Sequence, residues 1–308
     1  MLMEKQIEEM PEDTRKQLTV FEDRLPVTII RGKQKGKTVV ITAGMHSGEY
    51  PGIPALIALC QKIDPDQLCG TVIAFHCLNV TGLYEHTDAL FPEDGKNLNR
   101  VFPGKADGTI TERMADFFVK EVCPCADFII DLHSGGFAEP LVPCIFYPAE
   151  ETVKTESLAV AEALTNQYLL PSYSTVGGFS YAANVMHIPG ILVERGYSGL
   201  CPKEWIDAYE EDLKRALSAL GMISYAFEKC EHTLITEVCY MEFEENGIWH
   251  CEIQAGGYVE KGSVLGTVTD LFGDPVHTYY AETSGIVMYH RGGIAAETGG
   301  CLAAIAVC

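Results

Sequence analysis

Four short apolar runs rich in β-branched residues, alternating with stretches of helical spacing, constrain this 308-residue chain more than any other feature. The runs are Lys37 to Ala43 (Lys-Thr-Val-Val-Ile-Thr-Ala), Thr71 to Leu78, Phe128 to Leu132 and Ile191 to Glu194. Short, continuously apolar segments bounded by turn residues read as buried strands. Pro54 to Ile63, Thr111 to Val122, Glu150 to Gln167 and Glu204 to Glu228 read as helices, the second with Thr109 or Thr111 as its cap. Leu18 to Ile30 fits an edge strand or two. Strands alternating with helices predict an α/β domain with a mixed, largely parallel sheet flanked by helices.

After about Lys229 the pattern changes. Helix-length periodicity stops, and short β-rich runs are punctuated by glycine: Gly256-Gly257, Gly262, Gly266, Gly273, Gly285, Gly292-Gly293 and Gly299-Gly300. Regular turn spacing between short strands predicts a small all-β unit. We therefore divide the chain into a domain over residues 1–230 and a β-rich C-terminal domain over 231–308. The phrases Gln254 to Gly266 and Ala281 to Val287 resemble the lipoyl/biotinyl-type barrel-sandwich fold. The lysine-bearing hairpin that such carriers modify has no counterpart, so the unit reads as structural, shielding the active site, and not as a carrier.

Composition excludes several function classes. The formal charge of −21, from 22 basic and 43 acidic residues, opposes binding to nucleic acid, which needs a Lys/Arg surface. It equally opposes an anionic membrane surface. Met1 to Lys16 is acidic and polar without the apolar core of a signal peptide, and no stretch approaches the roughly 20 apolar residues of a membrane span. A cytoplasmic location is expected. Twelve cysteines in a chain this long do not make a disulfide scaffold. No CxxC occurs; Cys123 and Cys125 form a weak CxC, and Cys60, Cys77, Cys144, Cys239, Cys251 and Cys301 lie in apolar runs as small hydrophobes. Such use of thiols suits a reducing compartment.

Two of the apolar runs end abruptly in small residues and a metal-capable side chain. The first leads into Ala43-Gly44-Met45-His46-Ser47-Gly48-Glu49, the other ends at Asp131-Leu132-His133-Ser134-Gly135-Gly136. A His-x-x-Glu pair alone is common by chance, and its bland reading is a solvated loop. Gly44 and Gly48 favour the tight backbone that brings both side chains to one point. Two His and one Glu at strand ends make a three-ligand zinc site with a position left for water, the arrangement of a hydrolase. Asp131 is a candidate partner for the second ring nitrogen of His133. Glu194 ends a buried run, where an acid is costly unless used or paired, and burial would raise its pKa as a general base requires. Pairing of Glu194 with Arg195 is discounted because adjacent strand residues face opposite ways. Asn99 and Arg100, in Lys96-Asn97-Leu98-Asn99-Arg100, offer an amide and a guanidinium for a carboxylate; a loop arginine paired with Asp94 or Glu93 is the equal alternative.

Taken in order, His46-x-x-Glu49, Asn99-Arg100, Asp131-Leu132-His133 and Glu194 resemble the aspartoacylase / succinylglutamate desuccinylase family of zinc-carboxypeptidase-like hydrolases, over residues from about 30 to 308. The 84-residue step from Glu49 to His133 is more like the deacylases than the peptide-cleaving carboxypeptidases. The resemblance implies one zinc on His46, Glu49 and His133, with Glu194 moving protons and Asn99 and Arg100 holding a substrate carboxylate. It implies hydrolysis of a small N-acyl amino acid or related amide, and it allows a homo-oligomer. Family members commonly carry a further arginine before the Asn-Arg pair, for the oxyanion. Here Glu85 to Pro92 holds none, and losing one oxyanion donor costs about a hundredfold or more. Either His86, Arg195 or another donor substitutes, or the zinc suffices, or the protein acts on a different substrate. The alternatives are a zinc carboxypeptidase acting on short peptides and a non-catalytic binding protein on this scaffold.

Overall fold

Where the apolar runs can all be buried decides the strand order. The structure, a computed structural model, describes residues 2–307. Its main sheet contains β1 (Thr14–Val20), β2 (Leu25–Arg31), β3 (Gln34–Ala43), β4 (Cys69–Phe75), β5 (Phe128–His133), β6 (Cys144–Pro148), β7 (Tyr168–Ser172), β8 (Gly190–Glu194) and β9 (Thr233–Leu234). The order is β1-β2-β4-β3-β5-β8-β6-β7-β9. The centre, β4-β3-β5-β8, is parallel. Antiparallel β1 and β2 finish one side, and β6 runs against β8 on the other. The sheet is mixed and largely parallel, as expected.

The helices are α1 (Leu2–Glu8), α2 (Gly52–Lys62), α3 (Val80–Glu85), α4 (Ile110–Phe117), α5 (Glu151–Ala161), α6 (Gly178–Asn184) and α7 (Lys203–Ala219). Alternation along the strands feeds two cores. Val39, Ile41 and Ile130 face one way, packing with Leu56 and Leu59 of α2 and Leu213 and Leu217 of α7. Val40, Ile73 and Ile129 face the other, with Met114 of α4 and Phe118. Every residue of β5 is buried, so any charge on it must have a purpose or a partner.

The ends of several elements differ from expectation. The Thr111 to Val122 helix becomes α4 plus a single π turn over Phe118–Val122. At its start the Glu112 carboxylate accepts from the Thr109 N–H at 2.9 Å, while Thr111 donates to Asp94 instead. Helix α5 stops at Ala161, well before Gln167, and β7 follows from Tyr168. Helix α7 stops at Ala219, well before Glu228, and Gly221 then takes a left-handed φ of 72°. Strands β6 and β7 were hidden by Pro148 and Pro171, which argue against a strand in a single sequence.

The last residues form two four-stranded antiparallel sheets from β10 (Val238–Glu242), β11 (Gly247–Cys251), β12 (Tyr258–Val259), β13 (Val264–Thr269), β14 (Pro275–Tyr280), β15 (Gly285–His290), β16 (Ala295–Ala296) and β17 (Cys301–Val307). Their own core includes Phe243, Trp249, Leu265, Tyr279, Val287 and Ile305. A second cluster joins Val142, Cys144 and Leu170 of the first unit to Met288, Ala304 and Ala306 of the second. Strand β9, at 233–234, still belongs to the main sheet. No helix is long and apolar enough to cross a membrane among the described residues. The eleven described cysteines are free, and burial pushes the Cys60, Cys77 and Cys123 thiols up to about 12, so they pack as neutral small groups.

Candidate active site

The site lies at the carboxyl ends of β3, β5 and β8, where an open α/β sheet presents its ligand crevice. Strand β3 ends at Ala43, and Gly44 turns the chain with φ 62°, a conformation that disfavours a side chain. His46 and Glu49 follow in that turn. His133 is the last residue of β5 and Glu194 the last of β8, and the two are register partners. Partners on adjacent parallel strands put their side chains on the same face, so His133 and Glu194 are neighbours by construction.

The three proposed ligands converge. His46 Nδ1 lies 2.7 Å from Glu49 Oε1, and His133 Nδ1 lies 2.9 Å from Glu49 Oε2. Donor atoms from all three residues fall within 4.8 Å of one another. Both imidazoles turn Nδ1 inward and are backed by an oxygen at Nε2: Asn97 Oδ1 at 3.1 Å behind His46, Asp131 Oδ2 at 3.1 Å behind His133. That backing sets the tautomer a metal-binding histidine needs. Asp131 is anchored in turn by Thr42, whose hydroxyl donates at 2.6 Å. Asp131 Oδ2 and His133 Nε2 are both buried and meet as an ion-pair contact without a formal hydrogen bond, and it is the carboxylate charge that favours the proton on Nε2. Asp131 is 1% exposed and His133 3%. A buried, partly unsatisfied His₂Glu set fits a single zinc ion.

Electrostatics follow from this crowding. Burial pushes the Glu49 carboxyl up, but His46 and His133 outweigh it and bring it to about 2. Burial pushes His133 down, yet Asp131 and Glu49 hold it well above the ordinary imidazole value. Glu194 goes the other way: burial, then the charge of Glu49, raises it well above the ordinary carboxyl range. Its Oε2 is buried and without a hydrogen-bond partner. Tyr209 donates its hydroxyl to the carbonyls of His133 and Val193, tying together the ends of β5 and β8.

The cleft has a volume of about 300 Å³, and His46, Glu49, Asn99, Arg100, His133 and Glu194 all line it. Asn99 spends its side-chain oxygen on the Gly178 N–H at 2.9 Å, which pins the start of α6. Arg100 is exposed and donates to the Asn99 carbonyl at 3.0 Å. Two expectations are corrected. The Arg195 guanidinium is held by Thr165, Asn166 and Asp212 and does not line the cleft. His86 sits exposed at the end of α3 with a left-handed φ of 56°, also outside the cleft. Sequence reasoning missed Asn97, Asp88, Glu139 and Tyr289, which also line the cleft. Asn97 had a signal in its spacing from Asn99 and Arg100. Tyr289 had none, because the β-rich unit delivers it across the fold through the Leu141–Tyr289 bridge.

A strand-end crevice with a buried carboxyl beside a metal-capable triad belongs to a hydrolase, and this one is of the amide-cleaving kind. The chain is a member of the succinylglutamate desuccinylase/aspartoacylase family, whose catalytic-domain model matches residues 35–220. The N-alpha-acetyl-L-2,4-diaminobutyric acid deacetylase of Halomonas elongata is 28% identical over 295 residues, covering 92% of this chain and 85% of that protein. The product-bound ectoine utilization protein EutE (DoeB) of Ruegeria pomeroyi superposes with a TM-score of 0.85 at 25% identity, covering 97% of this chain and 98% of that one. A succinylglutamate desuccinylase/aspartoacylase of Rhodobacter sphaeroides has the same fold, with a TM-score of 0.83 at 22% identity over 96% and 97% of the two chains.

Proposed function

We propose that the protein removes the acyl group from a small N-acyl amino acid or a related amide, in a zinc-dependent hydrolysis. The observation that carries this reading is the convergence of His46, Glu49 and His133 beside the unpartnered carboxyl of Glu194. His46 Nδ1, Glu49 and His133 Nδ1 would hold the ion, with Asn97 and Asp131 orienting the two imidazoles. When bound, zinc supplies Lewis acidity, which lowers the pKa of water and polarises a carbonyl. Glu194 takes a proton from the attacking water and returns it to the leaving amine nitrogen as the C–N bond breaks. Its buried setting raises its proton affinity toward that task. Asn99 and Arg100, on one rim of the cleft, hold the substrate carboxylate. Tyr289, Phe146 and Leu192 add largely apolar lining to the same cleft.

Family membership and the deacetylase name of the Halomonas relative favour this reading over a carboxypeptidase. A division into two domains belongs to the same proposal, with the boundary moved from 230 to after β9, which pairs with β7, and with the second domain contributing to the cleft through Tyr289. The test is elemental analysis of the purified protein beside His133→Ala, with release of amine from N-acetyl and N-succinyl amino acids and from dipeptides. One zinc per chain, lost in the variant, with turnover of N-acyl amino acids, upholds the reading. Absence of zinc uptake and of turnover overturns it, and turnover of dipeptides alone replaces it with the peptidase.

A further inference from the structure

Glu194 ends β8, and its Oε2 is buried without a hydrogen-bond partner, so nothing anchors that oxygen directly. Its place must come from the backbone. The two peptide groups that flank Glu194 are each held by a buried side chain. On one side Tyr209 donates its hydroxyl to the Val193 carbonyl at 3.2 Å, and to that of His133 as well. On the other side Asn166 Nδ2 donates to the Glu194 carbonyl and to the Cys144 carbonyl, at 3.1 Å each. Cys144 is the first residue of β6, and it is the register partner of Glu194 in the antiparallel β6–β8 pair. The Asn166 amide therefore joins the two strands at the residue that carries the base. With both flanking peptide planes held, φ and ψ of Glu194 are fixed, and so is the direction of its Cα–Cβ bond.

Asn166 stands between α5 and β7 and is 0% exposed. Arg195 Nη2 donates to its Oδ1 at 2.9 Å. A guanidinium can only donate and two carbonyls can only accept, so the amide has one possible orientation. Arg195 is fixed in turn by Asp212 Oδ2 and Thr165 Oγ1, each at 2.8 Å. Asp212 Oδ1 accepts from the N–H and the hydroxyl of Thr165, at 2.8 and 2.6 Å. The backbone of Asn166 is held too, with His232 Nδ1 2.9 Å from its carbonyl. A chain of contacts thus runs from Asp212 of α7 through Arg195 and Asn166 to the Glu194 carbonyl, and none of Asp212, Arg195 and Asn166 lines the cleft. We propose that Asn166 is a positioning residue for the deacylation, holding Glu194 in line with the reacting atoms, and that Arg195 and Asp212 act through it by orienting its amide. This rests on the reading of Glu194 as the base and extends it. A network that only stabilised the fold would lower the melting temperature and leave turnover per folded molecule unchanged.

The test measures kcat and KM of the full-length, zinc-loaded protein and of N166D, N166S, R195M and N166S/R195M. The substrate is an N-acetyl amino acid that the wild type hydrolyses, rates are expressed per bound zinc, and each variant is assayed well below its melting temperature. Aspartate matches asparagine in shape but sets an oxygen against two carbonyl oxygens, whereas serine removes the bridge without burying a charge. In N166D and N166S kcat should fall about 10- to 100-fold, the cost of a misplacement of about 1 Å at the reacting centre. KM should stay within about threefold, since an interaction made only in the transition state is lost. R195M should lower kcat in the same direction, and the double variant should match N166S alone, because residues acting through one another are not additive. A kcat per zinc in N166S within about twofold of wild type, whatever its melting temperature, overturns the proposal. Losses that multiply in the double variant overturn the part given to Arg195. If N166D does not fold, N166S decides, and R195M decides if neither folds. Crystal structures of zinc-loaded wild type and N166S give a readout independent of turnover. A Glu194 carboxyl displaced by about 1 Å relative to His133 upholds the proposal, and an unmoved one overturns it. If the wild type hydrolyses no N-acyl amino acid, the deacylase reading fails separately, and the two structures still judge the positioning.

Discussion

Replacing Asp131 by Asn should weaken metal binding without disturbing a single ligand. Asp131 and His133 are two positions apart on β5, so their side chains share a face. Thr42 donates to Asp131 Oδ1 at 2.6 Å and thereby directs Oδ2 at His133 Nε2, 3.1 Å away. The carboxylate favours the proton on Nε2, leaving the Nδ1 lone pair toward Glu49 and the ion. In D131N the Thr42 hydroxyl selects the amide oxygen for itself, and the NH₂ group then faces Nε2. A donor against a donor forces the imidazole to change tautomer or tilt, and both spoil Nδ1 as a ligand. Losses of this kind run to about 10- to 100-fold in affinity, or about 1.4–2.8 kcal/mol. Chelator competition on wild type, D131N and Thr42→Val measures it, with Thr42→Val expected to give a smaller loss in the same direction. An affinity for zinc within about twofold of wild type in D131N would refute the reasoning.

Three further outcomes follow from other contacts. Glu194→Gln keeps size and metal content but removes the proton acceptor, so kcat should fall by about 10²- to 10⁴-fold; steady-state turnover beside zinc content checks this, and undiminished turnover removes Glu194 as the base. Arg195 and Asp212 form a 2.8 Å ion pair with side chains 11% and 2% exposed, and Arg195→Met should destabilise the fold by about 3–5 kcal/mol while leaving KM near wild type below the melting range. A large KM effect at undiminished stability would return Arg195 to the site. Burial, followed by the charge of Glu49, raises the Glu139 carboxyl above its ordinary 4.5. A raised folded pKa stabilises below the unfolded value, and that stability is lost as pH climbs through the folded value. Melting temperatures of the metal-free protein should therefore decline upward from pH 4.5, less steeply in Glu139→Gln, and identical slopes would sink the assignment.

Much of this protein is written locally. Alternating apolar runs and helical stretches are short-range patterns, and β3, β4, β5 and β8 lie where those patterns put them. His46, Glu49, His133 and Glu194 were visible because each follows a buried run, and a parallel sheet collects all such ends on one edge. Pairing register, side-chain direction and inter-unit contacts are not local. The His133–Glu194 register makes those two residues neighbours, while Thr165, Asn166 and Asp212 draw the Arg195 guanidinium away from the cleft. The Asn97 and Asp131 oxygens gain meaning only once two imidazoles stand against them. Tyr289 comes from a β-rich unit whose sequence describes only its own strands, and packing of that unit against Leu141 and Val142 carries it to the cleft. The class of chemistry is legible along the chain, since ligand types and strand ends are encoded within a few residues. Which side chains share the cleft depends on the tertiary fold, since they come from surfaces distant in the chain and joined only by burial.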